Sequence, residues 1–209
     1  MNAPRTAVLF PGFTRQPSDV ALFATECEEC GWTVLAQSLA PRGLPFLYMV
    51  PSRLRRIART IALDSPNVPL VLVGHSAGAS AACYLAERLI ELGSGVRGVV
   101  LVDGVDSPNH LIRRSLPGLR ARRVAAVLAP PSPCNKGGLL ERSLASYPWV
   151  RREVVAGAGH GDIEGDGIGI YRRMCKDTST PEVAREFRRA VLASMMSVLN
   201  GAPEPERGE

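Results

Sequence analysis

Six short apolar runs recur along the chain, each separated from the next by an amphipathic or polar stretch. "TAVLFPG" (6–12), "WTVLAQSL" (32–39), "VPLVLVG" (68–74), "VRGVVLVDG" (96–104), "ARRVAAVLAPP" (121–131) and "RREVVAGAG" (151–159) read as strands. Between them, "PSDVALFATECEEC" (17–30), "PSRLRRIARTIAL" (51–63), "AGASAACYLAERLIEL" (77–92) and "GGLLERSLASYPW" (137–149) read as helices, as does the long segment that Thr180-Pro181-Glu182 opens. Strands that are apolar along their whole length must be covered on both faces, as in a parallel sheet flanked by helices. The pattern predicts an α/β fold: a mostly parallel, doubly wound sheet of about six strands. In such sheets ligands bind at the carboxyl ends of the strands. With 209 residues, one domain over 1–200 followed by a polar tail over 201–209, "GAPEPERGE", is the expected organisation, the tail being disordered.

Composition narrows the function class. No run of about eighteen apolar residues occurs, so no membrane span is expected, and Ala7 to Phe10 is too short for a signal-peptide core. The formal charge of +5 comes almost wholly from arginine, with Lys136 and Lys176 the two lysines. No aromatic-interleaved basic stripe accompanies it, which argues against nucleic acid as a partner. The five cysteines are scattered and odd in number, unlike a disulfide framework, and this suggests a cytoplasmic protein. Cys27 and Cys30 lack the second pair that zinc would need, and the stretch from Asp162 has Arg173 where a calcium loop needs its glutamate. No metal and no cofactor is expected; the first strand is followed by neither a phosphate loop nor a dinucleotide fingerprint.

Gly74-His75-Ser76-Ala77-Gly78 lies between the third strand and the helix after it. A Gly-x-Ser-x-Gly pentapeptide placed there makes a tight turn that lifts the serine hydroxyl out of the sheet. Glycines are required because strand and helix approach too closely for side chains. Ser76 is therefore the candidate nucleophile. A serine needs a base, and the chain has three histidines. His75 should point away from its neighbour's hydroxyl and His110 sits in a polar loop. His160 follows the last strand at its carboxyl end and is the expected base.

The orienting acid is less direct. The segment after the penultimate strand, "VLAPPSPCNKGG", has no carboxylate, so the acid moves one strand earlier. Asp103, at the end of that strand, is preferred, with Asp106 the alternative; Asp162 is expected to cap the turn that follows it. The oxyanion site should be two backbone N–H groups, those of Ala77 and of Phe13 in "FPGFT".

These residues give the chain a resemblance to the α/β-hydrolase superfamily over nearly its whole length. Within it, "GHSAGASAACYLAERL" resembles the nucleophile segment of thioesterases of polyketide and non-ribosomal peptide synthesis. That resemblance implies a compact α/β-hydrolase fold with Ser76 carrying the acyl group, Asp103 orienting and His160 as base. It also implies a small acyl ester or thioester substrate and, as a further partner, an acyl carrier protein. Hydrolysis through an acyl-enzyme is the expected activity; acyl transfer or cyclisation on the same serine, or a non-hydrolytic small-molecule-binding or biosynthetic role, are the alternatives. The departures are a missing first hairpin, a lid region cut to "VDSPNHLIRRSLPGLRARR" (105–123), and no Tyr-Pro-Pro after the aspartate. "GLPFLYMVP" (43–51) either walls an acyl pocket or packs into the core. "IRRSLPGLRARR" (112–123) is either a docking surface for an acidic carrier on the site side or a solvated face.

Overall fold

In the computed structural model, residues 5–41, 43–44, 47–106, 110–165 and 169–201 are described. Six strands, β1 (Thr6–Phe10), β2 (Thr33–Ala36), β3 (Leu70–His75), β4 (Val96–Val102), β5 (Arg123–Leu128) and β6 (Arg151–Val154), form one sheet in the order β2-β1-β3-β4-β5-β6. Every adjacent pair is parallel. The chain winds outward from the centre in both directions, so its order reverses between β1 and β3. Loops leaving those two strands diverge there and open a crevice.

The fully apolar strands explain the two-sided cover. Alternate residues point to opposite faces. Val8, Phe10, Leu70, Leu72, Val99 and Leu101 face one core, while Ala7, Leu9, Val71, Val73, Val100 and Val102 face the other. The first core is closed by α2 (Pro51–Asp64) and α3 (Gly78–Glu91), with α4 (Leu111–Ser115) and α5 (Leu139–Leu144) at its edge. The second is closed by α1 (Ala21–Glu29) and α7 (Pro181–Asn200). Pro181 starts α7, and Thr180 Oγ1 accepts from the Val183 N–H at 3.4 Å. One guanidinium ties the α7 side together: Arg188 Nε donates to both carboxylate oxygens of Glu26 on α1 (2.8 and 2.9 Å), and its Nη1 donates to the Asp162 carbonyl at 3.0 Å.

Three expectations need correction. The polar stretch after Asp162 also holds a helix, α6 (Gly169–Cys175), and α4 occupies part of the shortened lid region. Both are under two turns long and too short for periodicity to reveal. Cys134 and Cys175 are joined, with Cα atoms 5.1 Å apart, whereas Cys27, Cys30 and Cys83 are free. The two partners are 41 residues apart and meet only because the loop after β5 folds against α6, so the scatter of cysteines does not argue for a reducing compartment. The arginine run also divides. Ser115 donates to Glu87 of α3 at 2.6 Å, and the segment descends along α3 until Arg120 and Arg122 emerge before β5, at the sheet edge away from the strand ends that carry Ser76. Arg113 and Arg114, both exposed, stay nearer those ends. The expected tail falls on residues 202–209, outside the described residues. No helix among the described residues is long and apolar enough to cross a membrane.

Candidate active site

The crevice between β1 and β3 is where the elbow sits. Ser76 has φ 53, a left-handed conformation that costs a non-glycine residue about 1–2 kcal/mol. It is held there from both sides. Its N–H donates to the Val102 carbonyl (3.0 Å), and its carbonyl accepts from the N–H groups of Val105 (2.9 Å) and Ala79 (3.1 Å). The flanking glycines have no room for a side chain. A Cβ at Gly74 would lie 2.4 Å from the Gly78 carbonyl oxygen, and one at Gly78 would lie 2.3 Å from that of Phe10.

The structure brings Ser76, His160 and Asp103 into one hydrogen-bonded chain. His160 Nδ1 lies 2.6 Å from Asp103 Oδ2 and Nε2 lies 2.9 Å from Ser76 Oγ. Because a carboxylate can only accept, Nδ1 carries the proton, and Nε2 is free to accept from the serine hydroxyl. All three residues are buried. Asp103, with φ 39, is fixed like Ser76: its N–H donates to the Val127 carbonyl at 2.7 Å, and its Oδ1 accepts from Ala129 N–H at 3.1 Å. Asp106 goes elsewhere. Its Oδ1 accepts from Ile112 N–H at 3.0 Å and so caps α4, and its Oδ2 is 3.7 Å from His110.

The loop holding His160 is shaped by residues that motif reasoning missed. Asp162 Oδ2 accepts from Gly159 N–H (2.8 Å), and its Oδ1 accepts from Ser179 Oγ (2.6 Å), so it braces the preceding turn rather than the following one. A Cβ at Gly159 would sit 1.9 Å from the Asp177 carboxylate, so any larger residue there would displace that side chain. Behind the imidazole, His75 Nε2 lies 2.8 Å from the His160 carbonyl. His75 Nδ1 is 3.1 Å from Glu164 Oε1, a contact too poorly aligned for a hydrogen bond, and Glu164 Oε2 is 3.0 Å from Arg15 Nη2. Apart from the local Asp162–Gly159 bond, these pairings follow no sequence spacing; they join different loops.

Burial is the main cause that holds the His160 pKa below its ordinary value, with the nearby His75 ring pushing the same way and Asp103 pulling it back up. Burial pushes the Glu164 carboxyl up, but the His75 imidazole and the Arg15 guanidinium outweigh it and leave the carboxyl below the usual range.

The proposed oxyanion donors also lie at this corner. A Cβ on Gly12 would be 3.2 Å from Ser76 Cβ, so the backbone entering Phe13 runs against the serine. Among the described residues, neither the Phe13 N–H nor that of Ala77 has a backbone acceptor. The Phe13 ring is half exposed and stands edge-on to Tyr48 with centroids 5.5 Å apart. Beside it a cavity of about 340 Å³ opens, lined by Thr14, Arg15, Gln16, Ala40, Pro41 and Tyr48. The segment 43–51 thus contributes Gly43 and Tyr48 to a cavity wall and buried Met49 to the core, while its residues 45 and 46 lie outside the described residues. Among the described residues no group of His, Cys, Asp and Glu could hold a metal ion.

A parallel sheet in this order, with a strained serine on the turn after β3 and a histidine on the loop after the last strand, is the architecture of the α/β-hydrolase fold. More particularly, residues 25–126 match the thioesterase-domain family model. Solved structures share the fold. Tomato methylketone synthase I, complexed with 2-tridecanone, aligns with a TM-score of 0.62 at 12% identity over 95% of this chain and 100% of that one. A putative hydrolase of the alpha/beta superfamily from Xanthomonas campestris pv. campestris aligns at 0.58 and 21% identity, over 90% and 98%. The NocB thioesterase domain from the nocardicin cluster aligns at 0.56 and 16% identity, over 91% and 95%. No curated protein matches the chain in sequence.

Proposed function

We propose that the protein is a serine hydrolase that cleaves an acyl thioester or carboxylic ester through an acyl-enzyme on Ser76. The observation that supports this most is the continuous chain Ser76 Oγ–His160 Nε2/Nδ1–Asp103 Oδ2 on a pinned elbow. Ser76 Oγ attacks the acyl carbon as His160 Nε2 takes the hydroxyl proton, and Asp103 stabilises the imidazolium that forms. The N–H groups of Ala77 and Phe13 hold the tetrahedral oxyanion. Collapse breaks the C–S or C–O bond, and the leaving thiol or alcohol receives the proton from His160. Water then adds to the acyl-serine, giving its proton to His160; the acid departs as Ser76 recovers that proton.

The burial that lowers the His160 pKa favours this role, because a base must be neutral before it can act. Arg113 and Arg114 are what remains of a contact for an acidic carrier.

A fluorophosphonate probe tests the reaction site without knowledge of the substrate. One stoichiometric adduct on Ser76, absent in Ser76→Ala, is expected; a folded protein that takes up none at neutral pH would overturn the reading. Hydrolysis of an acyl-thioester panel, followed with and without an added alcohol or amine, then separates hydrolase from transferase.

A further inference from the structure

The loop after β5 lacks a carboxylate, yet it sends one side chain to the site. Asn135, almost wholly buried, directs Nδ2 at both carboxylate oxygens of Asp103, 3.2 Å from each, and donates to the Pro130 carbonyl at 2.9 Å. Its Oδ1 accepts from the N–H groups of Ser132 (2.8 Å) and Gly138 (2.9 Å). The amide can point only this way. Reversed, it would set an oxygen against the carboxylate and an NH₂ against two N–H donors. Asp103 therefore has three kinds of donor around it: Ala129 N–H, Asn135 Nδ2 and His160 Nδ1. Residue 134, next to Asn135, is fastened to Cys175 by the disulfide, which fixes the loop at the point from which the amide reaches.

We propose that Asn135 is a positioning residue of the triad, keeping Asp103 turned so that Oδ2 faces His160, with the Cys134–Cys175 bridge anchoring it. The inference rests on the triad reading of the preceding section. Its consequence is chemical as well as geometric. Each hydrogen bond Asn135 gives to Asp103 draws charge from the carboxylate and weakens its hold on the His160 proton. Asn135 thus works with burial and His75 to keep the base neutral, against Asp103 itself and Glu164, the latter neutralised in part by Arg15.

Asn135→Asp is the discriminating variant. It keeps an oxygen for the Ser132 and Gly138 N–H groups, so the loop retains those two bonds, but it replaces the donor facing Asp103 with a second acceptor. The pH dependence of fluorophosphonate labelling of Ser76 is measured beside that of the unmodified protein. The plateau rate is expected to fall about tenfold or more and the acid-side midpoint to rise by about half a pH unit or more. Asn135→Ser, which abolishes the reach to Asp103 without adding charge, should move the midpoint the same way by less. It decides the matter if the aspartate variant does not fold. A folded variant, with the disulfide verified by intact mass, that labels at the original rate and with the original midpoint would overturn the assignment and leave Asn135 a loop brace. Failure of the unmodified protein to label at all overturns the triad reading, and the two failures are distinct.

Discussion

Substituting Gly78 by alanine loads the most confined point of the elbow. The added Cβ would stand 2.3 and 2.6 Å from the carbonyl oxygens of Phe10 and Pro11 and 2.9 Å from the carbonyl carbon of Phe10. All three are backbone atoms, so no side chain can swing away. Restoring an ordinary contact near 3.4 Å requires the start of α3 and the end of β1 to separate by about 1 Å. Overpacking of this kind costs about 1–3 kcal/mol, and the absence of any flexible neighbour places it at the upper end. For a chain of this size about 3 kcal/mol lowers Tm by about 6–12 °C. The same separation moves Ser76 away from the Gly12–Phe13 backbone. A misplacement near 1 Å costs about 100-fold in rate, so fluorophosphonate labelling should fall by one to two orders of magnitude. Gly93→Ala is the control. Nothing lies within 4 Å of its added Cβ, and only the positive φ of 77° opposes it, so Tm should drop by a few degrees while labelling is unchanged. Thermal unfolding by circular dichroism and the labelling rate measure both effects. A Gly78→Ala protein with unchanged Tm and labelling would refute the idea that backbone proximity makes this glycine necessary.

Asp103→Asn should reduce labelling by about 10³–10⁴-fold, whereas Asp106→Ala should leave it within about threefold and cost about 1 kcal/mol through loss of the α4 cap, read by urea denaturation. The buried His160 should keep its neutral form below pH 6.5, so the acid limb of labelling lies below that value. By the same shift, the unfolded chain binds a proton near pH 6.5 that the native state refuses, so this group's contribution to stability is intact above 6.5 and is lost as pH falls towards its native value. Urea midpoints at a series of pH values would show it, and a stability that rose on acidification from 6.5 would count against it. Replacing Cys134 and Cys175 together by serine opens a loop spanning 41 residues, for which chain entropy gives a loss of up to about 4 kcal/mol. A urea midpoint unchanged by the replacement would show that the bridge does not constrain the unfolded chain.

The fold was legible because the strands needed here are apolar on both faces, and runs such as Leu70–Val73 or Val99–Val102 have no other economical burial. Ser76 was legible because a serine between two glycines at a strand–helix junction has a local steric signature. The position of His160 was legible by elimination among three histidines, whereas Asp103 was only preferred over Asp106, because both stand after the same strand. Asn135, Glu164, Asp162 and Arg188 had no such signature. Their partners are separated by 32, 89, 17 and 162 residues, and the contacts exist only after the sheet has brought the loops to one edge. The same holds for the cysteine bridge. The short helices α4 and α6 fell below the length at which a period can be counted.

Arg188 sits 28 residues after His160, on a helix that touches no reacting atom, yet its guanidinium grips both α1 and the backbone of Asp162. The base is thereby hostage to the end of the chain. A protease cut or a frameshift between α6 and α7 would leave Ser76, Asp103 and His160 in the surviving fragment and still strip the histidine loop of its backing. A change confined to α7 can therefore reach the candidate site through the Asp162 backbone without touching any residue of the triad.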